Sequence, residues 1–186
     1  MIQLTEINNS VERNKIKSLY CTALPAEERM PFFWIYSKRK RKNVSFFNIY
    51  DGDEWAGFVY FSHNKDLIYV WFFAIDENAR SKGYGSAVLA EIKRLYPDFR
   101  IVLGVEMIDE NAENNAQRIK RKRFYERNGF RETDYMLQYR DLKVEFLLFG
   151  DSFDIEELYA IFRKSGWLIG GFIATMWKSV IRKKCA

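Results

Sequence analysis

Apolar positions along this chain switch repeatedly between a period of two and a period near 3.6. Residues 2–7 alternate as a first strand does. Val11, Ile16, Leu19 and Tyr20 then fall at helical spacing behind Asn9 or Ser10, either of which can cap a helix reaching about Leu24. Pro25 ends it, and residues 26–37 read as a second helical piece with Pro31 near its start. Residues 44–50 and 55–62 are β-rich runs around Asp51-Gly52-Asp53-Glu54, a hairpin signal. A polar turn, residues 63–66, leads into residues 67–75, an apolar and aromatic run dense enough for burial on both faces. The three runs predict an antiparallel meander.

Val88, Leu89, Ile92 and Leu95 return to helical spacing and Pro97 stops them. Residues 100–108 read as another strand, 109–115 are polar and acidic, and a helix is expected over 111–127. Asn128-Gly129 closes that helix in the left-handed manner. Residues 135–139 and 142–149 form a last strand pair. In the second of them Leu142, Val144, Phe146 and Leu148 face one way, with Lys143 and Glu145 the other. Asp154 with Glu157 makes a capping-box-like start to a helix ending near Lys164, and residues 167–184 read as one more helix, apolar and then basic. No repeat or low-complexity linker interrupts this order. The expectation is an α+β domain over residues 1–150, with a helical extension over 151–186 packed on the same domain.

Composition narrows the class without choosing a function. Apolar residues at 48% and charged residues at 30% describe a folding chain and exclude a disordered one. Sixteen Phe, eleven Tyr and five Trp predict an aromatic-rich core or a wide apolar groove. The net charge of +5 suits an anionic partner without selecting one. Lys38 to Lys42 are five consecutive cations, read first as a solvated helix end or loop and second as a contact for an acidic substrate or nucleic acid. No nucleic-acid partner is expected.

Cys21 and Cys185 stand far apart without a CxxC or a neighbouring His pattern, which favours reduced thiols in the cytoplasm and no metal site. Residues 1–15 lack the apolar core of a signal peptide. No run reaches the roughly 18 apolar residues of a membrane span. The tail helix packs on the domain or on a second subunit, so a homodimer stays open.

Chemistry enters between the strand at 67–75 and the helix that follows. Arg80-Ser81-Lys82-Gly83-Tyr84-Gly85 is a glycine loop opening a helix, where free backbone N–H groups and the positive end of the helix dipole suit a phosphate. Consecutive N–H groups from Ser81 to Ser86 can converge on one anion, and Arg80 and Lys82 add screened charge at the rim. A Cβ at Gly83 or Gly85 would obstruct the anion or forbid the backbone angles.

This loop resembles the [Arg/Gln]-x-x-Gly-x-[Gly/Ala] segment of the GCN5-related N-acetyltransferases. Phe124-Tyr-Glu-Arg-Asn-Gly-Phe130, about 40 residues later, resembles their aromatic-Tyr-Glu-x-x-Gly-Phe segment. The likeness spans residues 2–149 and includes the order of elements. It implies an α+β fold with a mixed, mostly antiparallel sheet of about seven strands flanked by helices, and acetyl-CoA as co-substrate. The pyrophosphate would lie over Arg80 to Ser86, and the pantetheine arm would pair with the backbone of Phe73, Ala74 and Ile75. Tyr125 would protonate or hydrogen-bond the departing thiolate, and Glu106 would face the acceptor as base, with Asp109 and Glu110 as alternatives.

One position departs from the family. Seven residues before the Tyr, where an Asn usually bonds pantetheine, stands Arg118. Asn114 or Asn115 would replace that Asn, or the arginines would contact the CoA phosphates. The implied function is direct acetyl transfer to an amine on a small molecule or peptide. The alternative is a degenerate acyl-CoA-binding sensor or interaction module.

Overall fold

The computed structural model describes residues 1–24, 29–139, 142–164 and 181–184. They fall into two compact units. The first comprises residues 1–62 and 70–98. It contains β1 (Ile2–Glu6), α1 (Ser10–Ala23), α2 (Phe32–Ser37), β2 (Val44–Asp51), most of β3 (Glu54–Asn64), most of β4 (Leu67–Ile75) and α3 (Tyr84–Leu95). The second comprises residues 63–69 and those from 99 onward. It contains β5 (Arg100–Glu106), α4 (Asn115–Arg127), β6 (Arg131–Tyr139), β7 (Leu142–Phe149), α5 (Ile155–Lys164) and β8 (Ile181–Lys183).

In the first unit the strands run in the order β1-β2-β3-β4. Asn9 caps α1 by accepting from the Glu12 N–H at 2.9 Å, as its side chain predicts. Alternation sends Phe46, Phe58 and Tyr60 to one face of β2 and β3, where Tyr20 of α1 meets Phe72 edge-on at 5.0 Å. The opposite face carries Phe47 and Phe61, and Phe61 packs edge-on against Tyr96 at 5.6 Å. Both faces are therefore covered, which is why β3 is buried almost throughout.

β2 and β3 pair antiparallel, with a register shift between Ile49 and Tyr50 that leaves Ala56 as the extra residue. Its carbonyl accepts from the Asp76 N–H at 2.9 Å. Next to it Gly57 takes φ +150, and a Cβ built there would lie 2.2 Å from the Ala74 carbonyl oxygen. Only glycine allows that approach of β3 to β4.

In the second unit the order is β5-β7-β6-β8, with each neighbouring pair antiparallel. Asp154 and Glu157 form the expected capping box, Asp154 accepting from the Glu156 N–H and Glu157 from the Asp154 N–H. Arg100 joins the start of β5 to α5 by donating to Glu157 at 2.8 Å and to Asp66 at 3.0 Å. Lys184, after β8, pairs with Glu132 and with the buried Glu145, which also pairs with Lys122.

The expected α+β fold is the one observed, with the three-residue β8 as an eighth strand. Four local expectations change. The helix expected over 111–127 begins at Asn115, because Asp109 and Asn115 spend their side chains on the backbone N–H groups of Asn111 and Asp109. The tail helix expected over 167–184 does not reach its end: residues 181–183 are a strand paired with β6, and residues 165–180 lie outside those described. The second helical piece keeps only Phe32–Ser37 as helix, residues 25–28 also lying outside those described. Among the five cations, Lys38 is buried over the Trp34 ring at 4.4 Å, and desolvation, aided by the charge of Arg41, lowers its pKa. Residues 40–42 are exposed.

Candidate active site

The glycine loop lies in the first unit and is built as an uncapped helix start. After β4 a 3₁₀ turn, Glu77–Ala79, is closed by Asp76, which accepts from the Asn78 N–H at 3.0 Å. Ser81 then takes φ +65 and Gly83 φ +79. Two left-handed residues so close turn the backbone sharply ahead of α3, the kind of turn that can form an anion-binding concavity. For Ser81 the conformation carries strain of ~1–2 kcal/mol, a cost typical of functional loops. Gly83 is the N-cap of α3 and supplies no side-chain hydrogen bond. The first bond of the helix runs from the Ala87 N–H to the Gly83 carbonyl at 3.1 Å. The N–H groups of Tyr84, Gly85 and Ser86 precede it and have no partner within the helix.

The side chains of this loop are turned aside. Arg80 donates through Nε to the Ile75 carbonyl at 3.3 Å. Tyr84 donates its hydroxyl to Asp51 at 2.9 Å, a bond that raises its pKa. Lys82 reaches Glu54 at 3.5 Å, both largely exposed. Phe73, Ala74 and Ile75 form the end of β4, with the Ala74 carbonyl facing Gly57 and the Ile75 carbonyl taken by Arg80. The concavity offers backbone donors, with cations at its edge, and fits a pyrophosphate by its donor set.

The remaining predicted residues lie in the second unit and form a charge cluster. Glu106, the last residue of β5, is buried. One of its oxygens pairs with Arg118 at 2.9 Å and the other with Arg121 at 3.2 Å. Asn114, the N-cap of α4, stands 3.5 Å from both. Arg118 also donates to the Asn114 side chain at 2.7 Å and to the Met107 carbonyl at 2.9 Å, so each of its three guanidinium nitrogens has a partner. Arg121 is the more exposed of the two arginines, at 39% against 18%.

Tyr125 stands one helical turn after Arg121 and is buried against Phe124 and Phe130, with ring centroids at 5.0 and 5.6 Å. Burial pushes its phenol up to about 12, and the charge of Arg121 acts the other way. The hydroxyl therefore keeps its proton throughout the neutral range. The α4 terminus is closed by Gly129 at φ +82, with the Phe130 N–H donating to the Tyr125 carbonyl at 3.1 Å.

The structure thus brings Glu106, Asn114 and Arg118 together, and it groups Phe73 to Ile75 with Arg80 to Ser86. Two contributors were not anticipated as part of the site: Gly57, which sets the backbone of Ala74, and Asp51, which holds Tyr84. Asp51 reads in the sequence only as a hairpin residue. No local pattern links it to a tyrosine 33 positions on. His63, expected in a turn, lies in β3, and its ring meets Phe99 at 5.8 Å.

Residues 13–130 match the sequence profile of the Acetyltransferase (GNAT) family. No curated protein sequence matches the chain. Solved structures do. One is a protein from Bacteroides thetaiotaomicron assigned to the GNAT family, 24% identical, covering 91% of this chain and 97% of that one with a TM-score of 0.69. An aminoglycoside 6'-N-acetyltransferase complexed with coenzyme A is 13% identical, covers 83% and 99%, and has a TM-score of 0.65. A Bacillus subtilis acetyltransferase in complex with CoA is 16% identical, covers 81% and 98%, and has a TM-score of 0.55. These likenesses establish the fold, and the profile match, over more than half of the chain, establishes the family. The chain belongs to the GNAT acetyltransferase family.

Proposed function

We propose that this protein is an N-acetyltransferase that moves an acetyl group from acetyl-CoA directly to an amine in a ternary complex. The observation that carries this reading is the start of α3 without a side-chain cap, with left-handed Ser81 and Gly83 ahead of the first helical N–H groups. These N–H groups precede the first bond of the helix. Those donors, with Arg80 and Lys82 at the rim, would hold the pyrophosphate. Phe73, Ala74 and Ile75 would line the pantetheine arm. Asn114 and Arg118 are assigned to the donor side as well, acting through the cluster they form with Glu106.

Tyr125 is assigned the proton delivered to sulfur. As the amine nitrogen bonds to the thioester carbon and the C–S bond breaks, the Tyr125 hydroxyl hydrogen-bonds the leaving thiolate and passes it a proton. Solvent returns a proton to the phenolate, whose raised pKa favours that return. The amine must lose one proton of its own. Glu106 is assigned that proton, Arg121 being the more exposed partner and the one an incoming amine displaces. We read the enzyme as cytoplasmic, with Cys21 a free exposed thiol. Among the described residues no helix is long and apolar enough to cross a membrane.

A second reading, an acyl-CoA-binding module without transfer, is favoured by one observation: both oxygens of Glu106 are already paired with arginines. Incubation with acetyl-CoA and a panel of small-molecule and peptide amines, following thiol release, separates the two. Amine-dependent release supports the transferase, and CoA binding with release no faster than hydrolysis supports the module. In the transferase, Tyr125→Phe lowers kcat by about 10²-fold and leaves the KM for acetyl-CoA near the wild-type value. Unchanged turnover would remove Tyr125 from the mechanism.

A further inference from the structure

We propose that Asp51 is a positioning residue for the donor site, holding Tyr84 so that the first turn of α3 presents its N–H groups without a cap. This rests on the assignment of the Arg80–Ser86 loop to the CoA pyrophosphate.

The first turn of α3 has little else to fix it. The buried residues of α3 are Val88, Leu89 and Ile92, all beyond that turn, while Ser81, Lys82, Gly83 and Ser86 are exposed. A capping side chain would normally order such a terminus, but it would occupy the N–H groups an anion needs. Here Gly83 provides none. The tie comes instead from Tyr84, the first helical residue, whose hydroxyl donates to Asp51 at 2.9 Å.

Asp51 is a rigid anchor. Its backbone is paired with Ile2 of β1 on one side and with Glu54 across the hairpin on the other. Its second carboxylate oxygen accepts from the Met1 amino group at 2.7 Å. The neighbouring Lys82–Glu54 pair links the same hairpin to the same loop, but at 3.5 Å and largely exposed it adds little. A carboxylate beside an anion site would repel the anion if charge were its whole effect. Its value lies in the hydrogen bond it accepts, so the neutral amide, which still accepts, should do nearly as well.

Isothermal titration with CoA and steady-state kinetics with acetyl-CoA test this on the full chain. Asp51→Ala should weaken CoA binding and raise the KM for acetyl-CoA about fivefold, the size of one net hydrogen bond. Its kcat should be unchanged at saturating donor. Asp51→Asn should bind within about twofold of wild type, because its amide oxygen still accepts from Tyr84. Tyr84→Phe should reproduce the KM effect of Asp51→Ala, and the double variant should be no worse than either single. Tyr84→Phe removes only one partly buried hydroxyl, so it still reads the tie if Asp51→Ala fails to fold. Wild-type affinity in Asp51→Ala or in Tyr84→Phe overturns the proposal, as does additivity in the double variant. Wild-type protein that binds no CoA overturns the donor-site assignment together with it. Binding by wild type with no effect of either variant overturns the positioning role alone.

Discussion

The glycine loop of the first unit and the charge cluster of the second are built from opposite materials. Around Arg80 to Ser86 the side chains turn away, Arg80 to a carbonyl, Tyr84 to Asp51 and Lys82 to Glu54, and the loop presents its backbone. At Glu106 it is the side chains that meet, one buried carboxylate against two guanidiniums, with Asn114 beside them. A backbone site depends on dihedral angles and on close approach of chains. A side-chain site depends on charge balance in a poorly solvated place. The two should therefore fail to different substitutions.

The largest effect is expected at the charge cluster. Glu106→Gln keeps the shape but leaves Arg118 and Arg121 without their carboxylate. Breaking a buried pair from one side typically costs about 3 kcal/mol or more, because the remaining charge stays poorly solvated. Urea denaturation should show a loss of about that size, with the m-value little changed. A loss below about 1 kcal/mol would mean that the arginines find water or other partners, and that the cluster is less of an internal element than its burial indicates.

A smaller loss is expected where one Cβ is added to the backbone-built region. In Gly57→Ala the new atom would sit 2.2 Å from the Ala74 carbonyl oxygen, and φ +150 is already unfavourable to alanine. Neither partner is the end of a flexible side chain, so β3 or β4 must shift. The expected cost is about 2 kcal/mol, within the range of overpacked cores. If Ala74 contributes backbone to the donor, the KM for acetyl-CoA rises as well. Glu106→Gln should leave that donor KM closer to wild type, and a reversal of this order would contradict the division drawn here.

This division also explains what the chain made legible. The loop could be recognised because glycine and left-handed turns are local requirements, written in residues that stand next to one another. Gly129 and the Asp154–Glu157 box were readable for the same reason. The strands of the first unit followed from alternation over residues 2–7, from β-rich runs over 44–50 and 55–62, and from a continuous apolar run over 67–75. The Glu106–Arg118 pair could not be read, since it joins a strand end to a helix twelve positions on and depends on how both fold. Asp51 with Tyr84 is a longer case of the same kind, and Gly57 against Ala74 is invisible in any local pattern. The start of α4 was misjudged because Asp109 and Asn115 divert backbone N–H groups that a helix would otherwise order.

Near neutrality the effects expected from pH are the smallest, and across the wider range they separate the two kinds of site without mutation. Backbone N–H groups do not titrate near neutrality. Affinity for CoA should therefore be nearly flat from about pH 7 to 9. Tyr125 behaves differently. Its folded pKa, raised by burial to about 12, lies above the value of about 10 for the unfolded chain, so the folded state holds its proton more tightly. The stability this contributes is complete below about pH 10 and is lost as pH rises toward about 12. Tyr20 adds to the same trend: burial raises it to about 12, partly offset by its hydrogen bonding with Met30. Each phenol should lower stability by up to about 1.4 kcal/mol per pH unit in that window. Tyr125→Phe should remove its share of the slope. If the wild-type slope persists unchanged in that variant, the Tyr125 hydroxyl is better solvated than its burial implies.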